Sequence, residues 1–367
     1  MKILISGGGT GGHIFPALSI ANEIRRRHPR ADILFVGAQG RMEMERVPAA
    51  GYRIVGLPVA GFDRRRLWRN FGVLIKLCKS LAKARRILAE FRPDICIGVG
   101  GYASGPMLKA AQRKGIPTFL QEQNSYPGVT NKLLGKKALC ICTAYAEAAK
   151  FFPEDKVVLT GNPVRADLLD CKLTPAEAKK RLGFDPERPL VLVVGGSLGA
   201  RSVNNAMMKC AGQITDAGAS ILWQTGKTYG AAAQNSEAAH LPGVQAVTFI
   251  SDMASAYRAA DVVVARAGAG TISELQLLGC ASVLVPSPNV AENHQYKNAM
   301  ALVERDAAVL VEDDKADAEL GDSVCRLLSD KAERERMSAN ISAMALRDSA
   351  AKIVDRVEAI ISPRSRD

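Results

Sequence analysis

Residues 2–27 read KILISGGGTGGHIFPALSIANEIRRR, and this stretch decides the fold class. Lys2-Ile3-Leu4-Ile5-Ser6 is a short apolar run of strand type. Five glycines in the six positions 7–12 then turn the chain, and Leu18, Ile20, Ala21 and Ile24 follow on one helical face. Strand, glycine-rich turn and helix, in that order, begin a doubly wound α/β unit. Working outward, ADILFVGA (31–38), PDICIGVGGYASGP (93–106) and IPTFLQEQNSYPG (116–128) supply further strands. The pattern restarts at RPLVLVVGGSLGARSVNNAM (188–207). It continues through ASILWQTG (219–226), VQAVTFI (244–250), DVVVARAGAGTISELQLLG (261–279) and ASVLVPSP (281–288). Strands alternating with helical segments imply parallel sheets covered on both faces, one in each half.

The 367 residues are 47% hydrophobic and 23% charged, which excludes disorder as the main theme. The length suits two domains of roughly 150–200 residues. TGNPVR (160–165) reads as the linker between them, and SAAKIVDRVEAIIS (349–362) as an amphipathic helix that returns to the first half. The expected domains are thus 1–162 with 346–367, and 163–345. No apolar run reaches the ~18 residues of a membrane span, and the N-terminus reads as a buried strand rather than a signal peptide, so a cytoplasmic location is expected. The eight cysteines, several inside apolar runs such as ICIGVG, read as small buried hydrophobes; no metal site is expected among them.

Charge is uneven. Residues 1–160 hold 26 basic and 11 acidic residues, against 23 and 26 in residues 161–367. From Arg64 to Arg86 there are nine basic residues and no acidic one, interleaved with Leu67, Trp68, Phe71, Val73, Leu74, Ile75 and Leu77. Such a stretch is either a solvated basic helix packed by its apolar face or a surface that meets anionic lipid. No nucleic-acid-reading motif accompanies it.

In open parallel sheets ligands bind beyond the carboxyl ends of the strands, which is where the glycine-rich turns fall. The turn 7–12 matches GxGxxG, yet ADILFVGAQ ends without the acid that a nicotinamide dinucleotide needs. The turn still lets backbone N–H groups approach a phosphate at a helix start. Turns 100–105, 195–200 and 268–274 repeat the arrangement, two per half, as anion sites on both walls of one cleft. His13 abuts the first and is a candidate general base near neutral pH. Glu274 is either a helix-start acid or an acceptor for vicinal ribose hydroxyls. Ser197 is either a helix cap or a phosphate donor, and Arg165 either a surface residue or a phosphate partner.

In order and spacing, GGGTGGHIFPALSIANEI, GGYASGP, QEQNSYPGVTNK, TGNPVR, GGSLGA, RAGAGTISE and ENHQYKNA resemble the MurG family of UDP-N-acetylglucosamine transferases. The resemblance runs from about residue 3 to residue 300. It implies the GT-B fold: two Rossmann-like doubly wound domains with parallel sheets facing a deep cleft. It also implies an inverting transfer of N-acetylglucosamine to the 4-hydroxyl of undecaprenyl-diphosphate-linked muramyl-pentapeptide. Ile250 would meet the uracil through its backbone, and Glu274 would hold the ribose. Ser197, Arg165, Ala269, Gly270, Thr271, Ile272 and Ser273 would hold the diphosphate. Asn124 and Gln295, with Thr10, Gly11 and Gly12, would touch the sugar. Gly8, Gly9, Gly100, Gly101, Tyr102 and Ser104 would meet the acceptor diphosphate. Arg64, Arg65, Arg66, Trp68, Arg69, Phe71, Ile75, Lys76 and Lys79 would form the patch resting on the cytoplasmic face of the membrane.

His13 would accept the proton as UDP leaves, with no cofactor and no tightly bound metal implied. Glu122 is a second candidate base or a buried hydrogen-bonded carboxylate. Gln121 stands where a familiar member of the family has His, and Leu198 and His294 also depart from the pattern, which weakens the sugar contacts beside them. Other proteins of cell-wall synthesis stay open as partners, and nucleic acid is not expected. Three competing readings are kept: a related transferase acting on diacylglycerol, a dinucleotide-dependent oxidoreductase, and a non-catalytic nucleotide-sugar-binding module.

Overall fold

The computed structural model describes residues 1–59, 71–290 and 293–362, and only the backbone of Phe71 and Leu74. The chain forms two units, Met1–Arg165 with Arg347–Asp367, and Ala166–Leu346. The first boundary falls three residues later than the linker composition suggested, for a physical reason. Thr160 and Asn162 are buried in the first unit, and the Thr160 and Gly161 N–H groups both donate to the Thr143 carbonyl. Arg165 therefore belongs to the first unit, not to the second, where the expected boundary placed it.

Among the described residues the first unit has a seven-stranded parallel sheet: β1 (Lys2–Ser6), β2 (Asp32–Ala38), β3 (Arg53–Leu57), β4 (Ile95–Gly98), β5 (Thr118–Glu122), β6 (Cys140–Thr143) and β7 (Val157–Leu159). The strand order is β3-β2-β1-β4-β5-β6-β7. Ile5 pairs with Phe35 on one side and with Ile97 on the other, which makes β1 and β4 the switch point where chain order reverses. Alternation splits β1 between two cores. Ile3 and Ile5 pack with helix Gly11–Arg27, and Leu4 packs with helices Phe71–Phe91 and Ser104–Arg113.

Helix Ser349–Ile361 closes the first of these cores. Ile353, Val354 and Val357 are buried there, each worth roughly 1.5–3 kcal/mol. Arg27 pairs with Asp355 at 2.6 Å and His28 meets Glu358 at 2.7 Å, fixing its register along helix Gly11–Arg27.

The second unit has a six-stranded parallel sheet among the described residues: β8 (Leu190–Val194), β9 (Ser220–Gln224), β10 (Val244–Val247), β11 (Val262–Ala265), β12 (Ser282–Leu284) and β13 (Val309–Leu310). Its order is β10-β9-β8-β11-β12-β13, with the switch point between β8 and β11. β8 is buried along its whole length, as a central parallel strand must be.

Candidate functional site

In the first unit the turns after β1 and β4 are packed backbone to backbone. A Cβ on Gly101 (φ +85°) would lie 2.2 Å from the Gly8 carbonyl oxygen, and one on Gly7 would lie 2.2 Å from Val99 Cγ2. The Ser104 hydroxyl, fully buried, lies 2.6 Å from the Ser6 carbonyl and 2.9 Å from that of Gly100. Ser104 was expected at the acceptor diphosphate; its proton is instead committed to bracing the two turns. Below them lies Glu43, 1% exposed, which the sequence reading did not single out. Its Oε2 accepts the Gly9 N–H and its Oε1 the Ala38 N–H, both at 2.9 Å.

Glu43 touches two residues expected at the acceptor diphosphate, Gly8 and Gly9. The Gly9 N–H is donated to this carboxylate. Gly8 is pressed onto the same carboxylate, with a Cβ there only 2.2 Å from Oε1. The Gly11 and Gly12 amides open the helix and have no carbonyl one turn earlier. An acid does reach the end of β2, but its oxygens are turned onto backbone amides rather than toward a ribose.

His13 sits in the first turn of helix Gly11–Arg27, with Nδ1 3.1 Å from Thr10 Oγ1 and its ring against Gly100. In the tautomer that donates Nδ1–H to Thr10, the lone pair is on Nε2. The ring is only partly exposed, and loss of hydration lowers its pKa to about 4, outweighing the Glu43 charge, which raises it. His13 is therefore neutral at pH 7, as a proton acceptor must be. Tyr102, in the neighbouring turn, is 55% exposed.

Glu122 ends β5 and is 2% exposed. Its Oε1 accepts Asn124 N–H at 3.0 Å and Asn124 Nδ2–H at 3.2 Å, and its Oε2 accepts Asn131 Nδ2–H at 2.8 Å. Burial pushes the carboxyl above the usual range, against these donors. Both Glu122 oxygens are thus engaged, one by Asn124 and the other by Asn131. Gln121 is likewise committed, donating to Asn162 at 3.1 Å. Arg165 stacks on Phe15, two residues beyond His13, with its guanidinium 4.9 Å from the ring centre.

In the second unit, helix Arg201–Asp216 is capped at Ala200, so Ser197 is not its N-cap. Ser197 lies in a tight turn closed by Gly199 N–H donating to Gly196 at 3.1 Å. Ile250 was expected to meet a base through its backbone. Its N–H is donated to Gln224 Oε1 at 3.0 Å, while Gln224 Nε2 donates to the Gly196 carbonyl at 3.1 Å. The carbonyl is the backbone group through which Ile250 can meet a base. Gln224 could have been suspected, as the polar residue ending the buried run SILWQ.

Helix Ala269–Leu278 trims another expectation. Ile272 donates its N–H to Gly268 at 2.9 Å and buries its side chain, and the Ser273 hydroxyl donates to the Ala269 carbonyl at 3.1 Å. At this helix start the Ile272 N–H and the Ser273 hydroxyl are thus bonded within the helix. Glu274 falls in the second turn, too far along for the helix dipole to explain it. Its Oε2 accepts from the Tyr257 hydroxyl at 2.9 Å. Gln295 uses its Oε1 to accept Ser287 N–H at 2.9 Å.

Of the basic patch, Arg64, Arg65, Arg66, Trp68 and Arg69 lie outside the described residues, as does the side chain of Phe71. Ile75, Lys76, Leu77 and Lys79 are exposed on helix Phe71–Phe91, with Ile75 at 45% and Leu77 at 41%. Val129 and Leu133, on a short helix carrying Lys132, are exposed as well. Among the described residues no helix is long and apolar enough to cross a membrane.

Residues 3–143 match the glycosyltransferase family 28 N-terminal domain, and residues 190–354 match its C-terminal domain. A relative from Phocaeicola vulgatus, named UDP-N-acetylglucosamine–N-acetylmuramyl-(pentapeptide) pyrophosphoryl-undecaprenol N-acetylglucosamine transferase, is 54% identical over 359 residues, 97% of this chain and 96% of the relative. One of the same name from Parabacteroides distasonis is 52% identical over 364 residues, 99% of each chain. The crystal structure of Acinetobacter baumannii MurG superposes with a TM-score of 0.73 at 26% identity, over 98% of this chain and 99% of that one. A calicheamicin glycosyltransferase, TM-score 0.71 at 18% identity over 100% of this chain and 99% of that one, shares the fold.

Proposed function

The chain belongs to glycosyltransferase family 28 and, within it, to the MurG family, and from that premise we propose the following reaction. N-acetylglucosamine passes from UDP-N-acetylglucosamine to the 4-hydroxyl of the muramyl sugar of undecaprenyl-diphosphate-linked MurNAc-pentapeptide, converting lipid I to lipid II. The observation that carries this is identity above half across nearly the full length of relatives named for that one transfer. The fold is the GT-B class of two Rossmann-like doubly wound domains. Membership in a transferase family sets aside the oxidoreductase reading.

In the proposed mechanism the muramyl O4 attacks the anomeric carbon, the bond from that carbon to the UDP oxygen breaks, and configuration inverts. The O4 proton passes to His13 Nε2. Neutral His13, oriented through Nδ1 by Thr10, is ready to accept it without first losing one of its own. Charge developing on the departing diphosphate is met by the helix-start amides of Gly270 and Thr271 and by Ser197. Arg165 is assigned to the same diphosphate. Glu274 takes the ribose hydroxyls, the Ile250 carbonyl the uracil N3–H, and Asn124 and Gln295 the sugar. The reading assigns no cofactor and no tightly held metal. The basic–apolar face of helix Phe71–Phe91 rests on anionic lipid at the cytoplasmic face of the membrane, so the enzyme is peripheral.

The test is to incubate the protein with labelled UDP-N-acetylglucosamine and either lipid-linked muramyl-pentapeptide or diacylglycerol. UDP release with the first acceptor alone is expected; release with diacylglycerol alone would overturn the assignment.

A further inference from the structure

We propose that Tyr257 is a positioning residue that sets the Glu274 carboxylate for the ribose of the nucleotide; this rests on the reading of Glu274 given above. The geometry comes from two helices flanking one strand. Helix Met253–Ala259 precedes β11 and helix Ala269–Leu278 follows it, and they meet where the Tyr257 hydroxyl donates to Glu274 Oε2 at 2.9 Å. The tyrosine is 5% exposed, so its ring is held by packing and its hydroxyl has a fixed direction.

The helix that carries it is anchored at its start. Asp252 accepts the Ser255 N–H at 3.1 Å and the Ser255 hydroxyl at 2.8 Å, and it pairs with Arg181 at 2.9 Å. A donor of fixed direction therefore faces the Glu274 carboxylate. The terminal torsion of a glutamate is broad, so an unheld carboxylate samples many orientations. A hydrogen bond to a charged oxygen is among the stronger kinds, and it holds Glu274 in one of them. Two vicinal hydroxyls need both carboxylate oxygens in a set plane. Tyr257 fixes that plane before the nucleotide arrives, which lowers the ordering cost of binding. Nothing about the helix dipole places Glu274, since it lies beyond the first turn.

The experiment compares UDP-N-acetylglucosamine with its 2′-deoxyribose analogue in the wild type, Tyr257→Phe, Glu274→Ala and the double variant. The expected result is that Tyr257→Phe raises KM for the natural donor by about 3- to 10-fold with kcat within about twofold, the size of one hydrogen bond. Its preference for the ribose donor over the deoxy analogue should shrink by a similar factor. The double variant should be no worse than Glu274→Ala, because a residue acting through Glu274 has nothing left to position. If the wild type does not discriminate against the deoxy analogue, the reading of Glu274 fails, and the inference with it. If the wild type and Tyr257→Phe discriminate equally while Glu274→Ala does not, the role of Glu274 stands and that of Tyr257 is overturned. Additive losses in the double variant would also overturn it, since a general packing defect would add.

Discussion

Glu43 accepts the Gly9 N–H at 2.9 Å, so the anion closest to the first glycine turn is the protein's own. Its other oxygen accepts the Ala38 N–H at 2.9 Å, which ties the end of β2 to the turn after β1. The shape of the turn that presents Thr10 and His13 thus depends on a buried charge in a neighbouring helix.

Glu43→Gln keeps the size but replaces one acceptor oxygen with an N–H₂ group, so one of the two backbone donors loses its partner. A buried unsatisfied donor costs roughly 1–3 kcal/mol. Urea denaturation should show a loss of that size, with activity falling as the turn loosens. An unchanged midpoint would show that the carboxylate is dispensable.

The His13 pKa of about 4 lies below the 6.5 of an ordinary imidazole, because the ring has lost hydration. Between those values the unfolded chain holds a proton that the folded one does not. Stability is therefore complete above about pH 6.5 and is lost as pH falls toward 4, by at most about 3 kcal/mol. His13→Gln removes this dependence. The stability of the wild type relative to the variant should decline between pH 6.5 and 4, and parallel curves would contradict it. At pH 7.5 His13→Ala should lower kcat by about 10²–10⁴, whereas an intact kcat would remove its role as base.

Ser104→Ala separates a brace from a ligand. The hydroxyl donates within the β1 and β4 turns, so its loss should destabilise the fold by about 1–2 kcal/mol. KM for the lipid-linked acceptor should stay within about twofold. A large rise in that KM without loss of stability would restore Ser104 to the diphosphate site.

Gly9 and Gly101 both have positive φ, +94° and +85°, but only Gly101 lacks room for a methyl group. Gly9→Ala should cost about 1–2 kcal/mol from left-handed strain alone. Gly101→Ala should cost more, because the added carbon meets the Gly8 carbonyl at 2.2 Å and the two turns must separate. Thermal unfolding of the two variants should rank them in that order.

Strands central to each sheet were legible because burial on both faces forces a continuous apolar run, as in LVLVV of β8. The edge strands β3, β7 and β13 were not: half-buried, and two of them only two or three residues long, they lack that signal. The glycine turns and His13 were also legible, since few other uses exist for so many small residues between a strand and a helix. Which amides in those turns are already taken was not. That depended on Glu43 reaching Gly9 across 34 positions and on Gln224 reaching Ile250 across 26, and hydrogen bonds between distant segments leave no local pattern. Order along the chain determined the doubly wound class and the placing of small-residue turns at the strand ends, because periodicity and backbone sterics act locally. Tertiary packing alone decided which donors and carboxylates in those turns are already bonded within the protein, because a polar group excluded from water must bond to whatever the fold brings beside it.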